Sequence, residues 1–558
     1  MASEEPIPVY SNLTDLYTNL GTSLNHAVRW NDLAEEFQKR FERKPAFIAR
    51  APGRVNLIGE HIDYALFGVL PAAVEHDILI ACAPRPVLPS HAESHPHHAP
   101  GGVVAENLHA RYARQTFAPT RKRLPNPSEE EVHAETWHFD INTKELRWDS
   151  YIKAGYYGVL DHYFSPSETS VGANGGHPVP VDLLVTGAVP PGAGLSSSSA
   201  MIVASTLAFL AINGKLDQVD AHGVNNGGMD QSASIISNAD SALYITFYPS
   251  LKASPIRLPP RSVFVCANSC VVSDKAVTAK RRYNLRVVET LVGARVLARA
   301  LGVQVTEKER ITFREVLGRL VGEKKGEELS VDELKYALER MQQEVELLKP
   351  KGRSNDELGV TMEEMIELSG LPEATFREVY LSWVEVEATH FQLYKRAKHV
   401  YSEALRVLQF RQICLDTSQD SFGDIKSLET LGLLMNESQS SCTQVFECSC
   451  PELDELTQLA REAGAYGSRL TGAGWGGYTV SLVAEDQVQQ FITRIRDTYG
   501  PYRGLEGEAL NEVIFATRPS SGACGLIDGS INISTKDRHF DTLYVKIDVK
   551  LQLASIPQ

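Results

Sequence analysis

The sequence lacks any apolar run approaching the roughly 20 residues needed to span a bilayer as a helix. Its opening, MASEEPIPVYSNL, is acidic where a secretory leader would be basic. Both absences lead to the expectation of a cytoplasmic protein. Positive charge is also short: 55 Lys and Arg against 70 Asp and Glu leave a net charge of -15. Nucleic-acid binding rewards the opposite balance, so an anionic ligand must meet a local cationic site. Cysteine is sparse, with eight in 558 residues, and a chain of this length needs no disulfide framework. The densest group, CTQVFECSC from Cys442 to Cys450, lacks the paired spacing of a zinc site, so the thiols read as reduced. No internal repeat is visible. The glycine loop PPGAGLSSSSA, from Pro190 to Ala200, is not followed by Gly-Lys-Ser/Thr and carries serines where the dinucleotide fingerprint has its later glycine, which sets aside both motifs there.

What is present suits a folded protein of two domains plus insertions, at 43% hydrophobic and 22% charged residues. We place the first domain at 1–260, the second at 261–525 and a tail of unassigned role at 526–558. From Pro45 the chain reads AFIARAPGRVNLIGEHIDY and then DILIACAP, two strand-like runs with a functional loop between them. VDLLVTGAV, from Val181, is a buried strand by its apolar run, and SSSAMIVASTLAFLAI beyond it has the length of a buried helix. GSRLTGAGWGGYTVSLV, from Gly467, again joins a glycine loop to an apolar strand. Residues 86–135 turn to Pro, His and charge, and are expected to form an exposed insertion in which His91, His95, His97 and His98 are solvated. Thr375 to Leu408 reads as one long helix, preceded by a charged, exposed insertion near Glu323 to Asp356.

Three groups of residues carry chemistry. PPGAGLSSSSA, from Pro190 to Ala200, lies between a strand and a helix, where backbone N–H groups can converge on phosphate oxygens and the helix dipole favours negative charge. A plain Gly/Ser turn is the alternative. Glu60, His61 and Asp63 suit the vicinal hydroxyls of an uncharged sugar, with a metal site or a surface loop as alternatives. Arg54 and Asp230 could serve phosphoryl transfer, which needs a poised nucleophile and compensation of charge; on their own they read equally as structural ion pairs.

Pro-x-Gly-x-Gly-Leu-Ser-Ser-Ser resembles the phosphate loop of the small-molecule kinases that include galactokinase, homoserine, mevalonate and phosphomevalonate kinases. GRVNLIGEHIDY narrows the resemblance to the galactokinase family. It continues through WDSYIK, NNGGMDQ, RRYNLRVVE, YKRAKHVYSEALRVL, LMNESQ and GSRLTGAGWGG, over most of residues 28–524, and is strongest toward the larger fungal members. The resemblance implies an α+β, two-lobed kinase, with a ribosomal-protein-like first domain, a ferredoxin-like second domain and the active site between them. It implies ATP and magnesium as cofactors and galactose as substrate. Arg54 and Asp230 would be catalytic, and Glu60, His61, Asp63, Gly227 and Tyr283 would hold the sugar. Gly192, Gly194, Leu195, Ser196, Ser197 and Ser198 would hold the nucleotide phosphates, Trp148 and Tyr151 the base, and Ser198 the metal. Gly472, Gly474, Gly476 and Gly477 would let backbone approach the ligands, or simply pack tightly.

The same family includes sugar sensors that bind a transcriptional repressor and kinases of N-acetylgalactosamine; the uninterrupted serine loop favours the galactokinase reading over the sensor. One departure bears on activity. Against the family pattern, a helix before the catalytic aspartate is missing, with only NGKLDQVDAH from Asn213 to His222 in its place. The family's magnesium-binding glutamate is replaced by Gln218, with Asp217 and Asp220 as alternative ligands, which leads us to expect weakened metal binding.

Overall fold

The computed structural model describes residues 7–13, 16, 20–86, 99–123, 135–141, 147–164, 177–192, 194–216, 228–272, 278–324, 326–354, 358–417 and 425–527. Two sheets organise them. The larger has seven strands in the order 9–10, 524–527, 47–56, 71–84, 181–187, 103–107, 115–117. Its centre is the antiparallel pair Phe47–Asn56 and Pro71–Pro84, the two runs expected from sequence, with the Leu57–Leu70 loop between them. The ladder slips between Pro52 and Arg54. Such a bulge bends a strand and re-aims a side chain, and here the side chain is that of Arg54.

The Ser197–Ile212 helix packs on this sheet and is buried from Ser199 to Leu210 without interruption, as its unbroken apolar sequence requires. It lies against the Trp148–Tyr163 helix, where Tyr156 and Phe209 stack with ring centroids 3.8 Å apart. A side chain at Gly155 would meet the Ser205 hydroxyl, so glycine sets how closely the two helices approach.

The second sheet has four antiparallel strands in the order Gly467–Leu470, Tyr478–Ala484, Ser262–Asn268, Ile514–Thr517. In chain order this is 2-3-1-4, the ferredoxin-like arrangement. The Pro451–Glu462 and Val488–Thr498 helices close one face, burying Leu456, Ala460, Phe491 and Ile495 against Val263, Val265 and Val483. The strand Cys524–Ile527 then leaves this unit and pairs with Phe47–Asn56 in the larger sheet. Arg50 fixes the return: its Nε donates to Asp77 Oδ2 at 2.7 Å and its Nη1 to the carbonyls of Ser521 and Gly522, both at 3.1 Å.

Three expectations are corrected. Within 86–135, Val103–Asn107 is no exposed insertion: it pairs parallel with Val181–Gly187, and Val103, Val104 and Ala105 are buried. The apolar run is short and its partner is distant in sequence, while a strand covered on both faces shows no alternation. Thr375–Leu408 is two helices, Glu373–Tyr380 and Leu393–Thr417, separated by an extended stretch in which Phe391 bridges to Val360. The acidic, β-branched WVEVEAT sequence between them has weak helix propensity. The charged stretch near Glu323 to Asp356 contains an amphipathic helix, Val331–Glu344, opened by a Ser330–Glu333 capping box and burying Ala337, Leu338 and Met341. The histidine tract, Gln218, Gly227 and residues 528–558 lie outside the described residues.

Candidate active site

Arg54 joins two distant parts of the chain. Its Nε and Nη2 reach Asp230 Oδ1 at 2.7 and 2.6 Å, and its Nη1 donates to the Gly194 carbonyl at 2.6 Å. Its backbone N–H donates to the Leu195 carbonyl at 3.1 Å. The guanidinium is almost fully buried, whereas the Asp230 side chain is 31% exposed, so the pair presents its carboxylate side to the cleft. Asp230 stands in the first turn of the Met229–Ile236 helix, where the dipole adds positive potential.

The glycine-serine loop ends at Ser196, which adopts a left-handed conformation at φ +57° and starts the Ser197–Ile212 helix. Its side chain does not cap the helix, and its Oγ is buried without a hydrogen-bond partner. Ser197 and Ser198 are half-buried in the first helical turn, while Leu195 and Ser199 turn into the protein. Gly192 is open to solvent on the side a Cβ would take. Gly194 is not: at φ +86°, a Cβ there would lie 2.8 Å from the Thr471 carbonyl. A Cβ on Gly472 would lie 2.7 Å from the Gly194 carbonyl, so the first and third motifs press backbone against backbone. Added side chains at Gly474 and Gly476 would likewise strike the carbonyls of Cys448 and Val271. Close packing within the protein accounts for these three glycines.

The trio in the first motif is held unequally. Glu60 is buried; its carboxylate pairs with Arg469 Nη2 at 3.0 Å and accepts the Gly472 N–H at 3.1 Å. His61 Nε2 donates to the Ala473 carbonyl at 3.0 Å, since a carbonyl can only accept, and Nδ1 takes the Tyr64 hydroxyl at 3.2 Å. Burial pushes its pKa down to about 3, outweighing the Ala473 hydrogen bond, so the ring is neutral. Both nitrogens are thus engaged inside the protein, and the imidazole contributes packing among Phe446, Tyr283 and Trp475. Asp63 remains partly accessible. Burial raises its pKa to about 7, the charge of Asp230 adds to the rise, and the Tyr64 N–H and Arg54 oppose it. Tyr283, at the start of the Tyr283–Ala300 helix, has its hydroxyl pKa pushed up by burial and then by the charges of Asp63, Asp230 and Glu60. Charge coupling thus links Asp63 and Tyr283 to Arg54, Glu60 and Asp230, and Arg54 ties the group to the serine loop through the Gly194 carbonyl.

Comparison with known proteins settles the lineage. A "Galactokinase galactose-binding signature" matches residues 35–84, "GHMP kinases N terminal domain" matches 167–238, and "GHMP kinases C terminal" matches 421–500. A galactokinase of Dictyostelium discoideum is 34% identical over 543 residues, covering 92% of this chain and 97% of its own. That of Saccharomyces cerevisiae is 33% identical over 528 residues, covering 88% and 93%. The chain belongs to the galactokinase family. Its fold is also that of a Lactococcus lactis galactokinase solved with galactose, at a TM-score of 0.55 and 20% identity, covering 88% of this chain and 99% of that one. Kinases of this family use ATP.

Trp148 and Tyr151 open the helix packed on Ser197–Ile212, both partly buried against the core, with Trp148 also 6.1 Å from the Tyr112 ring. Sequence reasoning missed Tyr64, Phe446 and Trp475 around His61, and Arg469 beneath Glu60. Arg469 lay inside a motif already noted for its glycines; the available signal was an arginine in an otherwise buried strand. All eight cysteines are free thiols, and among the described residues no group of three His, Cys, Asp or Glu could hold a metal and no helix is long and apolar enough to cross a membrane.

Proposed function

We propose that this chain transfers the γ-phosphoryl group of ATP to the anomeric hydroxyl of galactose. The observation that carries the reading is Arg54, which binds Asp230 with one edge of its guanidinium and the carbonyl of the serine loop with the other. A single residue thereby fixes the distance between a basic carboxylate and the turn suited to phosphates. Asp230 accepts the hydroxyl proton as the sugar oxygen bonds to the γ-phosphorus, the bond to the bridging oxygen breaks, and ADP leaves. Arg54 keeps its positive charge beside that carboxylate and offsets charge on the transferring group. Ser196, Ser197 and Ser198 meet the phosphates at the helix N-terminus, where N–H groups and dipole favour anions.

Ser198 would hold magnesium, together with phosphate oxygens and water. The fit is supported by a hydroxyl-rich turn with the unpartnered Ser196 Oγ, a donor set suited to a hard cation. When bound, the metal supplies positive charge against the phosphate oxygens. Asp63 and Tyr283 contact the sugar directly, with the Glu60 and His61 turn completing its pocket, and Trp148 and Tyr151 flank the base. Eight free thiols and the demand for ATP support a cytoplasmic location.

The test is direct. Purified protein is incubated with magnesium-ATP and either galactose or N-acetylgalactosamine, and sugar phosphate is measured. Galactose 1-phosphate from galactose alone is expected. Product from N-acetylgalactosamine alone would reassign the substrate, and saturable galactose binding without product would favour a sensor that signals to a repressor.

A further inference from the structure

The Leu393–Thr417 helix places three polar side chains, Arg396, His399 and Glu403, on a face otherwise built from Val400, Ala404, Val407 and Leu408. The chemistry above uses none of them. Glu403 is fully buried, yet its Oε1 accepts the backbone N–H of Gly59 at 3.0 Å and of Glu60 at 3.3 Å, with the Ser438 hydroxyl at 2.7 Å. Four residues earlier, one helical turn away on the same face, His399 Nε2 donates to the Glu60 carbonyl at 3.0 Å, while its Nδ1 takes the Ser441 hydroxyl at 2.9 Å. One helix therefore fixes both main-chain polar groups of Glu60. Arg469 fixes its side chain, and also donates to the Asn56 carbonyl at 3.0 Å and to Ser438 at 3.1 Å.

The turn so held is one the backbone would not adopt unaided. Gly59 lies at φ +104° and His61 at φ +60°, both left-handed, and successive N–H groups in such a turn form a concavity that accepts an anion. Glu403 fills that concavity with a carboxylate from within the protein. Two carboxylates, Glu60 and Glu403, face two guanidiniums, Arg469 and Arg406, so the buried charge balances. Burial alone would raise the Glu403 pKa; Arg406, Arg469, His399 and the Ser438 hydrogen bond outweigh it and hold the group at about 2, ionised throughout the working range. None of the hydrogen bonds or ion pairs named for Glu403 reaches the Gly192–Ser198 turn.

We infer that Glu403, locked by Arg406, Arg469 and Ser438, is a positioning residue that holds the Gly59–His61 turn in the shape that binds galactose. The inference rests on the galactokinase reading. It separates the two substrates: loosening this anchor disturbs the sugar and leaves the nucleotide site in place.

The test compares the full-length protein with Glu403→Ala, Glu403→Gln and Ser438→Ala, measuring KM for each substrate, kcat, and galactose affinity by calorimetry. Glu403→Ala raises KM and Kd for galactose about tenfold or more, as misplacement by a fraction of an ångström does, with KM for ATP within about twofold. Glu403→Gln keeps an acceptor for both amides and recovers most of the affinity. Should Glu403→Ala fail to fold, Ser438→Ala, a truncation of one hydroxyl, is expected to raise galactose KM about threefold in the same direction. Equal rises for both substrates, or galactose constants unchanged in Ser438→Ala and Glu403→Ala alike, overturn the inference. Absence of galactose 1-phosphate from the unaltered protein contradicts the function reading instead; the calorimetric series then decides the inference alone, and no detectable galactose binding overturns both.

Discussion

Two arginine–carboxylate pairs, Arg54–Asp230 and Arg469–Glu60, differ in one physical respect. Arg54–Asp230 leaves its carboxylate about one-third exposed, while in Arg469–Glu60 both side chains are almost fully buried. An exposed carboxylate can exchange partners with a substrate at little cost. A buried pair cannot, because either charge left alone in a low-dielectric interior loses several kcal/mol of solvation. The first pair is therefore suited to chemistry and the second to holding shape, although both have the same composition and similar separations.

Breaking the exposed pair should damage rate and spare the fold. Asp230→Ala is expected to lower kcat by about 10²–10⁴-fold, with the melting temperature near that of the unaltered protein, as measured by sugar phosphate formation and calorimetric scanning. Breaking the buried pair should do the reverse to stability: Arg469→Met leaves Glu60 without its guanidinium partner, while Glu403 keeps Arg406, and is expected to destabilise by about 3–5 kcal/mol in urea titration. Gly194→Ala probes the contact between the two glycine loops. Its Cβ would crowd the Thr471 carbonyl at 2.8 Å in a left-handed residue, so a loss of about 1–3 kcal/mol is expected, with a higher KM for ATP.

The smallest effect sharpens the comparison through pH. Asp63 has a folded pKa of about 7, above its ordinary value of 3.8, because burial and Asp230 disfavour its charge. A raised carboxyl pKa means the folded state keeps a proton that the unfolded chain releases. Its contribution to stability therefore falls as pH rises from about 4 to about 7 and is flat beyond. Asp63→Asn, neutral throughout, should melt higher than the unaltered protein at pH 8.5, with the gain shrinking toward pH 5.5, while galactose affinity falls.

Much of this was legible in the sequence. The strand–loop–strand from AFIARAPGRVNLIGEHIDY to DILIACAP, the buried serine-led helix and the glycine hairpin were all visible because each is a continuous run with a turn signal beside it. What was hidden depends on distant partners. Val103–Asn107 is too short to declare itself apart from its parallel neighbour. Glu403 and His399 sit, with Arg396, among apolar residues of a helix that would read as ordinary but for these three polar residues on the buried face. The sequence also could not say that His61, flanked by Glu60 and Asp63, spends both nitrogens on protein partners while Asp63 stays accessible. The nearness of residues in the chain set a common role for all three, and the left-handed turn at His61 divides them.

The division of labour between the two pairs is tested most directly by titrating galactose into Asp230→Asn by calorimetry while assaying the same sample for galactose 1-phosphate. The account predicts galactose affinity within a few-fold of the unaltered protein and product formation reduced by about 10²-fold or more. Product formation within tenfold of the unaltered rate would contradict it.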